Sequence, residues 1–87
     1  MITRTVTMKN GAGLYAGPAS LFIRKANSYN SSIWIEKDDC RVSAKSLLGV
    51  LSLGISMGTK ITIIADGDDE EEAALGLAEL IDSGANG

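Results

Sequence analysis

The chain predicts an α+β fold: an open-faced β-sandwich in which a four-stranded antiparallel sheet carries three helices on one face, in the order β-α-β-β-α-β-α. Three observations lead there. Four short stretches, 2–8, 32–36, 40–43 and 59–65, alternate apolar and polar residues. Three further stretches repeat apolar residues at helical spacing. Only the second and third strands are joined by a turn short enough for a hairpin, so helices link the rest and two β-α-β halves result. Eighty-seven residues suffice for a single domain, 1–87, with one modest core.

The first strand runs from Ile2 to Met8, with Thr3, Thr5 and Thr7 on one face and Ile2, Val6 and Met8 on the other. Arg4 is the exception on the apolar face. Asn10-Gly11-Ala12-Gly13 breaks the strand, and the loop is expected to run on through Gly17. Pro18 suits the first turn of a helix, where its missing N–H does no harm. Ala19, Phe22, Ile23 and Ala26 then share one face; Ser20, Leu21 and Arg24 lie opposite, which makes Leu21 an exposed apolar residue. Asn27 to Asn30 ends this helix. Ser32–Glu36 is the second strand, with Ile33 and Ile35 inward and Trp34 outward. Lys37-Asp38-Asp39 turns into a third strand, Cys40–Ser43. A central helix follows, and Met57-Gly58 leads to the fourth strand, Thr59–Ala65, with Ile61 and Ile63 on one face and Lys60, Thr62 and Ile64 on the other. Thr3, Thr5, Thr7, Trp34, Lys60 and Thr62 therefore populate the open face, where Trp34 either meets a partner or packs across neighbouring strands.

The run Asp66-Gly67-Asp68-Asp69-Glu70-Glu71-Glu72 does not match a calcium loop, and consecutive glutamates do not all face one ion. Acids at a helix start are favoured by the macrodipole. The third helix they begin carries Ala74, Leu77, Ala78 and Ile81, and is expected to end near Ser83-Gly84.

Composition excludes several functions. A net charge of −3 argues against a nucleic-acid footprint. No apolar run approaches the ~20 residues that span a bilayer, and the start of the chain lacks the apolar core of a signal peptide. Cys40 is the only cysteine, which excludes an internal disulfide and fits the reducing cytoplasm. There is no histidine, which removes imidazole acid–base chemistry, histidine metal sites and phosphohistidine together. No metal or other cofactor is implied.

The central stretch, Ala44 to Gly54, holds one base, Lys45, and no acid. Ser46 precedes an apolar run and is placed to cap a helix. Gly49 and Gly54 weaken that helix and predict a short one. At ~100° per residue, Leu47, Leu48, Val50, Leu51 and Leu53 cover roughly 220°, more than the core-facing stripe of a surface helix requires. Val50 and Leu53 face inward together, and Leu47, Leu48 and Leu51 form a second patch for a partner. Without a partner, the same residues describe a buried helix with an ordinary serine cap.

This order, with Gly13-Leu14-Tyr15-Ala16-Gly17-Pro18-Ala19 and Lys45-Ser46-Leu47-Leu48-Gly49-Val50-Leu51-Ser52-Leu53, resembles HPr, the histidine-containing phosphocarrier family of the bacterial sugar phosphotransferase system. The family's first motif reads Gly-(Leu or Ile)-His-Ala-Arg-Pro-Ala. Its histidine carries the phosphoryl group and its arginine helps hold it. Tyr15 and Gly17 occupy those two positions here, so the resemblance implies no catalytic residue and a closed histidine relay. A tyrosine phenol, with an unperturbed pKa near ~10, is a poor nucleophile at neutral pH.

In the family, the serine corresponding to Ser46 is phosphorylated in many bacteria by the ATP-dependent HPr kinase/phosphorylase. The resemblance is nearest in logic to the catabolite-repression HPr (Crh) branch. That branch lacks the histidine and acts through the serine as a corepressor for catabolite control protein A, a LacI-type transcription factor. The branch generally keeps the arginine that Gly17 replaces. The resemblance implies a partner surface of Tyr15, Gly17, Ser20, Leu21, Arg24, Ser46, Leu47, Leu48 and Leu51. Two other functions stay open: an HPr-like module that binds a partner constitutively, and an atypical phosphocarrier using Tyr15 or Cys40.

Overall fold

Strand pairing sets the architecture. The computed structural model describes residues 1–9 and 16–82. Its elements are β1 (Ile2–Thr7), α1 (Ala16–Asn27), β2 (Ser32–Lys37), β3 (Cys40–Ser43), α2 (Leu47–Ser52), β4 (Lys60–Asp66) and α3 (Glu70–Asp82). They form one four-stranded sheet in the order β1-β4-β2-β3. β4 pairs antiparallel with both β1 and β2. β1 and β2 are therefore parallel to each other with β4 between them, a relation that requires the α1 crossover. The expected fold class holds.

Register separates the two faces. Ile2, Ala65 and Ile33 lie in one row, and Arg4, Ile63, Ile35 and Val42 in the next. Ile33, Ile35, Ile61, Ile63 and Ala65 join Ala19, Phe22 and Ala26 of α1, Val50 of α2, and Ala73, Ala74, Leu77, Ala78 and Ile81 of α3 in one core. The helices thus cover this face only. Arg4 is tolerated on the apolar face because β1 is an edge strand: its side chain stays exposed and lines a groove with Leu75, Ala78, Glu79 and Asp82 of α3. An inward-pointing charge also blunts an edge against pairing with other strands.

The open face reads Thr3, Ile64, Trp34 and Ser43 across one row, and Thr5, Thr62, Glu36 and Arg41 across the next. The Thr5 and Thr62 hydroxyls meet at 3.2 Å, and Arg41 Nε reaches Glu36 Oε1 at 3.1 Å. Ile64 retains only 3% exposure although it lies outside the helix-covered core. Its register neighbours are Thr3 and the half-buried Trp34. This favours Trp34 packing across neighbouring strands.

Several boundaries differ from expectation. α1 begins at Ala16, so Ala16 and Gly17 are helical rather than part of the loop. The first four N–H groups of a helix lack intrahelical acceptors, so proline at the third position forfeits no bond. Leu21 is half-buried, not exposed, because Leu80 of α3 flanks the same groove. β2 extends to Lys37, which pairs with Cys40, leaving Asp38-Asp39 as the turn; Asp38 takes a left-handed φ of 55°, a region aspartate visits more readily than most residues. β4 is shifted by one residue, to Lys60–Asp66. The loop before Ala16 and the expected helix end at Ser83-Gly84 lie outside the described residues.

The acidic run does more than suit the macrodipole. The Asp69 carboxylate accepts the N–H groups of Asn30 and Ser31 at 2.9 Å each, and the Ser31 hydroxyl as well. It thereby ties the turn after α1 to the start of α3. Glu70 Oε1 accepts the Gly67 N–H at 3.1 Å. Gly76 makes a second tie. A Cβ there would overlap the Tyr29 hydroxyl, so glycine lets Tyr29 lie against α3. Lys25 Nζ sits 5.9 Å from the centre of the same ring.

Two outcomes follow from these ties. In an open helix, Gly→Ala stabilises by about 1 kcal/mol; Gly76→Ala should instead destabilise by about 1–3 kcal/mol through overpacking. Adding Tyr29→Phe should recover part of that loss, the ring Cζ still standing 3.2 Å from the new Cβ, and thermal unfolding of the four proteins checks this. Secondly, the Ser31 hydroxyl and then the Asn30 N–H hold the Asp69 carboxyl below the usual aspartate range. A folded-state pKa below the unfolded one stabilises above the unfolded value and is lost as pH falls through the folded one. The melting temperature should fall on acidification below the ordinary carboxylate range. Asp69→Asn should lower it at neutral pH and flatten that acid limb.

Candidate functional site

The site is the connection from β3 into α2. Ala44, fully buried, donates its N–H to the Ile33 carbonyl at 2.9 Å and anchors the connection to the sheet. The chain then turns, and the Ser46 N–H reaches the Ser43 carbonyl at 3.2 Å. Ser46 is extended (φ −107°, ψ 114°), and its Oγ accepts the Gly49 N–H at 3.1 Å. Its carbonyl accepts the Val50 N–H at 3.0 Å. These are the two bonds of an N-cap, as expected from its place before the apolar run.

Gly49 keeps the cap open. A Cβ there would stand 3.3 Å from both Ser46 Oγ and Val42 Cβ, tighter than ordinary van der Waals contact. At the far end, Leu53 caps the helix, and Gly54 follows at a φ of 60°, the left-handed conformation in which helices often end. α2 is six residues long, as the two glycines predict.

The leucines divide largely as anticipated. Val50 is fully buried and Leu53 nearly so, while Leu47 is 42% and Leu48 80% exposed. Leu51 divides its surface: it is half-buried and leans on the core. The exposed Ser46 hydroxyl and the Leu47 and Leu48 side chains therefore share one end of α2.

The α1 residues are placed less uniformly. Gly17 is the second residue of α1, and Ser20 and Arg24 are exposed. Leu21 and Arg24 line a groove with Lys25, Ser28 and Leu80, between α1 and α3. Leu80 of α3 thus flanks both of them. Tyr15 lies outside the described residues.

Two lysines that the sequence did not single out as structural hold this region. Lys45 Nζ donates to the Tyr29 carbonyl at 2.9 Å. Lys37 Nζ donates to the Leu53 and Gly54 carbonyls at 2.9 and 3.3 Å. Each acceptor is about sixteen residues away, and nothing in the local pattern marks it. Elsewhere, Cys40 is exposed at the hairpin beside Asp38 and Asp39. Asp69 and Glu70 are committed to backbone N–H groups.

Known proteins resemble this chain in sequence and in fold. The family model for the PTS HPr component phosphorylation site matches residues 2–83. The HPr-like protein Crh of Bacillus subtilis is 43% identical over 81 residues, which cover 93% of this chain and 95% of Crh. The phosphocarrier protein HPr of Borreliella burgdorferi is 47% identical over 83 residues, covering 95% of this chain and 96% of that protein. Among solved structures, HPr-C-His from Thermoanaerobacter tengcongensis superposes with a TM-score of 0.94 at 48% identity, covering 97% of this chain and 94% of its own. Motifs, topology and relatives agree: this chain belongs to the HPr family of the phosphotransferase system, whose members similar to it include both Crh and HPr proteins.

Proposed function

We propose that this chain is a non-catalytic, cytoplasmic regulatory member of the family, phosphorylated on Ser46 by HPr kinase/phosphorylase and acting in carbon catabolite regulation as a corepressor or signalling partner of a LacI-type catabolite control protein. One observation carries the reading: the chain has no histidine, yet the Ser46 hydroxyl stands exposed at the cap of α2 beside Leu47 and Leu48. The similarity to two Crh proteins, at 43% and 45% identity, supports it.

The chemistry of the cap suits a switch. A phosphoserine adds about −1.5 to −2 charge at neutral pH and three strong acceptor oxygens. The Gly49 N–H that now meets Ser46 Oγ can meet a phosphoryl oxygen instead, a shorter and stronger bond. Phosphorylation would therefore keep α2 folded and place the charge beside an apolar patch. A partner with a cationic group next to an apolar pocket would distinguish the two states.

The exposure of Leu48 alone favours a second reading, a module that binds its partner without phosphorylation. An atypical carrier through Cys40 has less support. Two aspartates line the same surface, and a phosphoryl group is anionic. Tyr15 has only Gly17 where the family supplies an arginine.

Intact-mass analysis separates these readings. HPr kinase/phosphorylase with ATP should add one phosphate, and Ser46→Ala should abolish it. Phosphate on Ser43 or Ser52 would reject the assignment. Phosphoenolpyruvate with the first enzyme of the phosphotransferase system should add nothing; one added phosphate there would reopen the relay. For the surface, Leu48→Asp should weaken partner binding by more than about 1 kcal/mol, as a hot-spot substitution does, with the melting temperature nearly unchanged. Unfolding with unaltered binding per folded molecule would make Leu48 a stability residue instead.

A further inference from the structure

α2 has little to hold it by itself. It is six residues long with a glycine inside, and neither its first turn carries an acid nor its last turn a base. Isolated helices below ~12–15 residues are marginal in water. Val50 and Leu53, with the half-buried Leu51, seat the helix on the core, and rocking about that seat is the motion so short a helix resists least by itself. Such rocking would move the Ser46 hydroxyl and the exposed leucines.

Polar ties from outside the helix oppose that motion. At its C-terminal end, the Lys37 ammonium, carried on the last residue of β2, bonds the Leu53 and Gly54 carbonyls at 2.9 and 3.3 Å. A cation there also complements the partial charge on free helical carbonyls. At the other end, Lys45, directly before the cap, reaches the Tyr29 carbonyl at 2.9 Å. Tyr29 is itself seated on α3 at Gly76. Both lysines are half-buried, and the bonds to the Leu53 and Tyr29 carbonyls are part-buried, so these two are shielded more than surface pairs are, while the bond to Gly54 is exposed.

We propose that Lys37 and Lys45 are positioning residues for the Ser46 site: each holds one end of α2 through backbone carbonyls, and together they fix the hydroxyl that receives phosphate. Neutralising either ammonium, by substitution or by acetylation, releases that end. The consequence for phosphorylation rests on the Ser46 reading; the tethering itself does not.

The test uses the full chain with Lys37→Met, Lys45→Met, Lys37→Arg and Lys45→Arg. Amide hydrogen exchange is followed together with phosphorylation kinetics by HPr kinase/phosphorylase and ATP. Lys45→Met should speed exchange at Gly49 and Val50 about tenfold or more, and Lys37→Met should do so at Leu53 and Gly54, while Ile63 stays unchanged. Both Met variants should lower kcat more than they raise KM, because a misplaced nucleophile loses in the chemical step. The Arg variants, which keep a cationic donor, should restore both readouts. Unchanged exchange overturns the proposal. So does slower phosphorylation without faster exchange, which would mean that the kinase reads the charge directly. Faster exchange with unaltered kinetics overturns the positioning role. If the unmodified chain takes no phosphate on Ser46, the proposed function fails, while exchange still decides whether the lysines hold α2.

Discussion

The pairing of β4 with β1 on one side and β2 on the other is the interaction on which the rest depends. It brings the last strand to the interior of the sheet and sets Ile61, Ile63 and Ala65 beneath the helices. Because β1 and β2 end up parallel across it, the chain between them has to cross the sheet, and α1 makes that crossing. The two edges are left to β1 and the four-residue β3, and the helical layer closes over one face only. Loss of β4 pairing would remove the floor under α1, α2 and α3 together.

From that floor the candidate site is built by subtraction. β3 ends at Ser43, the next residue, Ala44, is buried, and two residues later Ser46 caps a helix too short to bury more than one stripe. Val50 and Leu53 take the inward positions, and Leu47 and Leu48 have nowhere to go but solvent. An exposed hydroxyl beside exposed leucines is a surface on which a single added charge changes what is recognised. Gly49 has a second role beside weakening the helix, since it leaves room for the group on Ser46.

Much of this was legible in the chain. Strand alternation and helical spacing gave the element order, and the surplus of leucines over one helical stripe marked Leu47, Leu48 and Leu51 as a second patch, of which Leu47 and Leu48 are exposed and Leu51 is half-buried. Ser46 as a cap followed from its position before the apolar run. Other features depend on contacts between distant segments. The start of α1 at Ala16 was hidden because proline is permitted at any of the first positions of a helix, not at one alone. Leu21 looked exposed on a helical projection that contains no α3, and Leu80 covers it. The acidic run read as a dipole effect, whereas Asp69 spends its carboxylate on Asn30 and Ser31, nearly forty residues earlier. Lys37 and Lys45 carry no local sign of the carbonyls they hold.

In the proposed function, phosphate on Ser46 alters a surface without altering a fold. An amide NMR spectrum recorded before and after treatment with HPr kinase/phosphorylase and ATP tests it most directly. Large shifts are expected at Ser46 and at Leu47 to Val50, with the Gly49 amide moving furthest as its acceptor changes from a hydroxyl to a phosphoryl oxygen. Ile61, Ile63 and Leu77 should keep their positions. Shifts spread through β4 and α3, or an unmoved Gly49 amide in a chain that carries the phosphate, would contradict it.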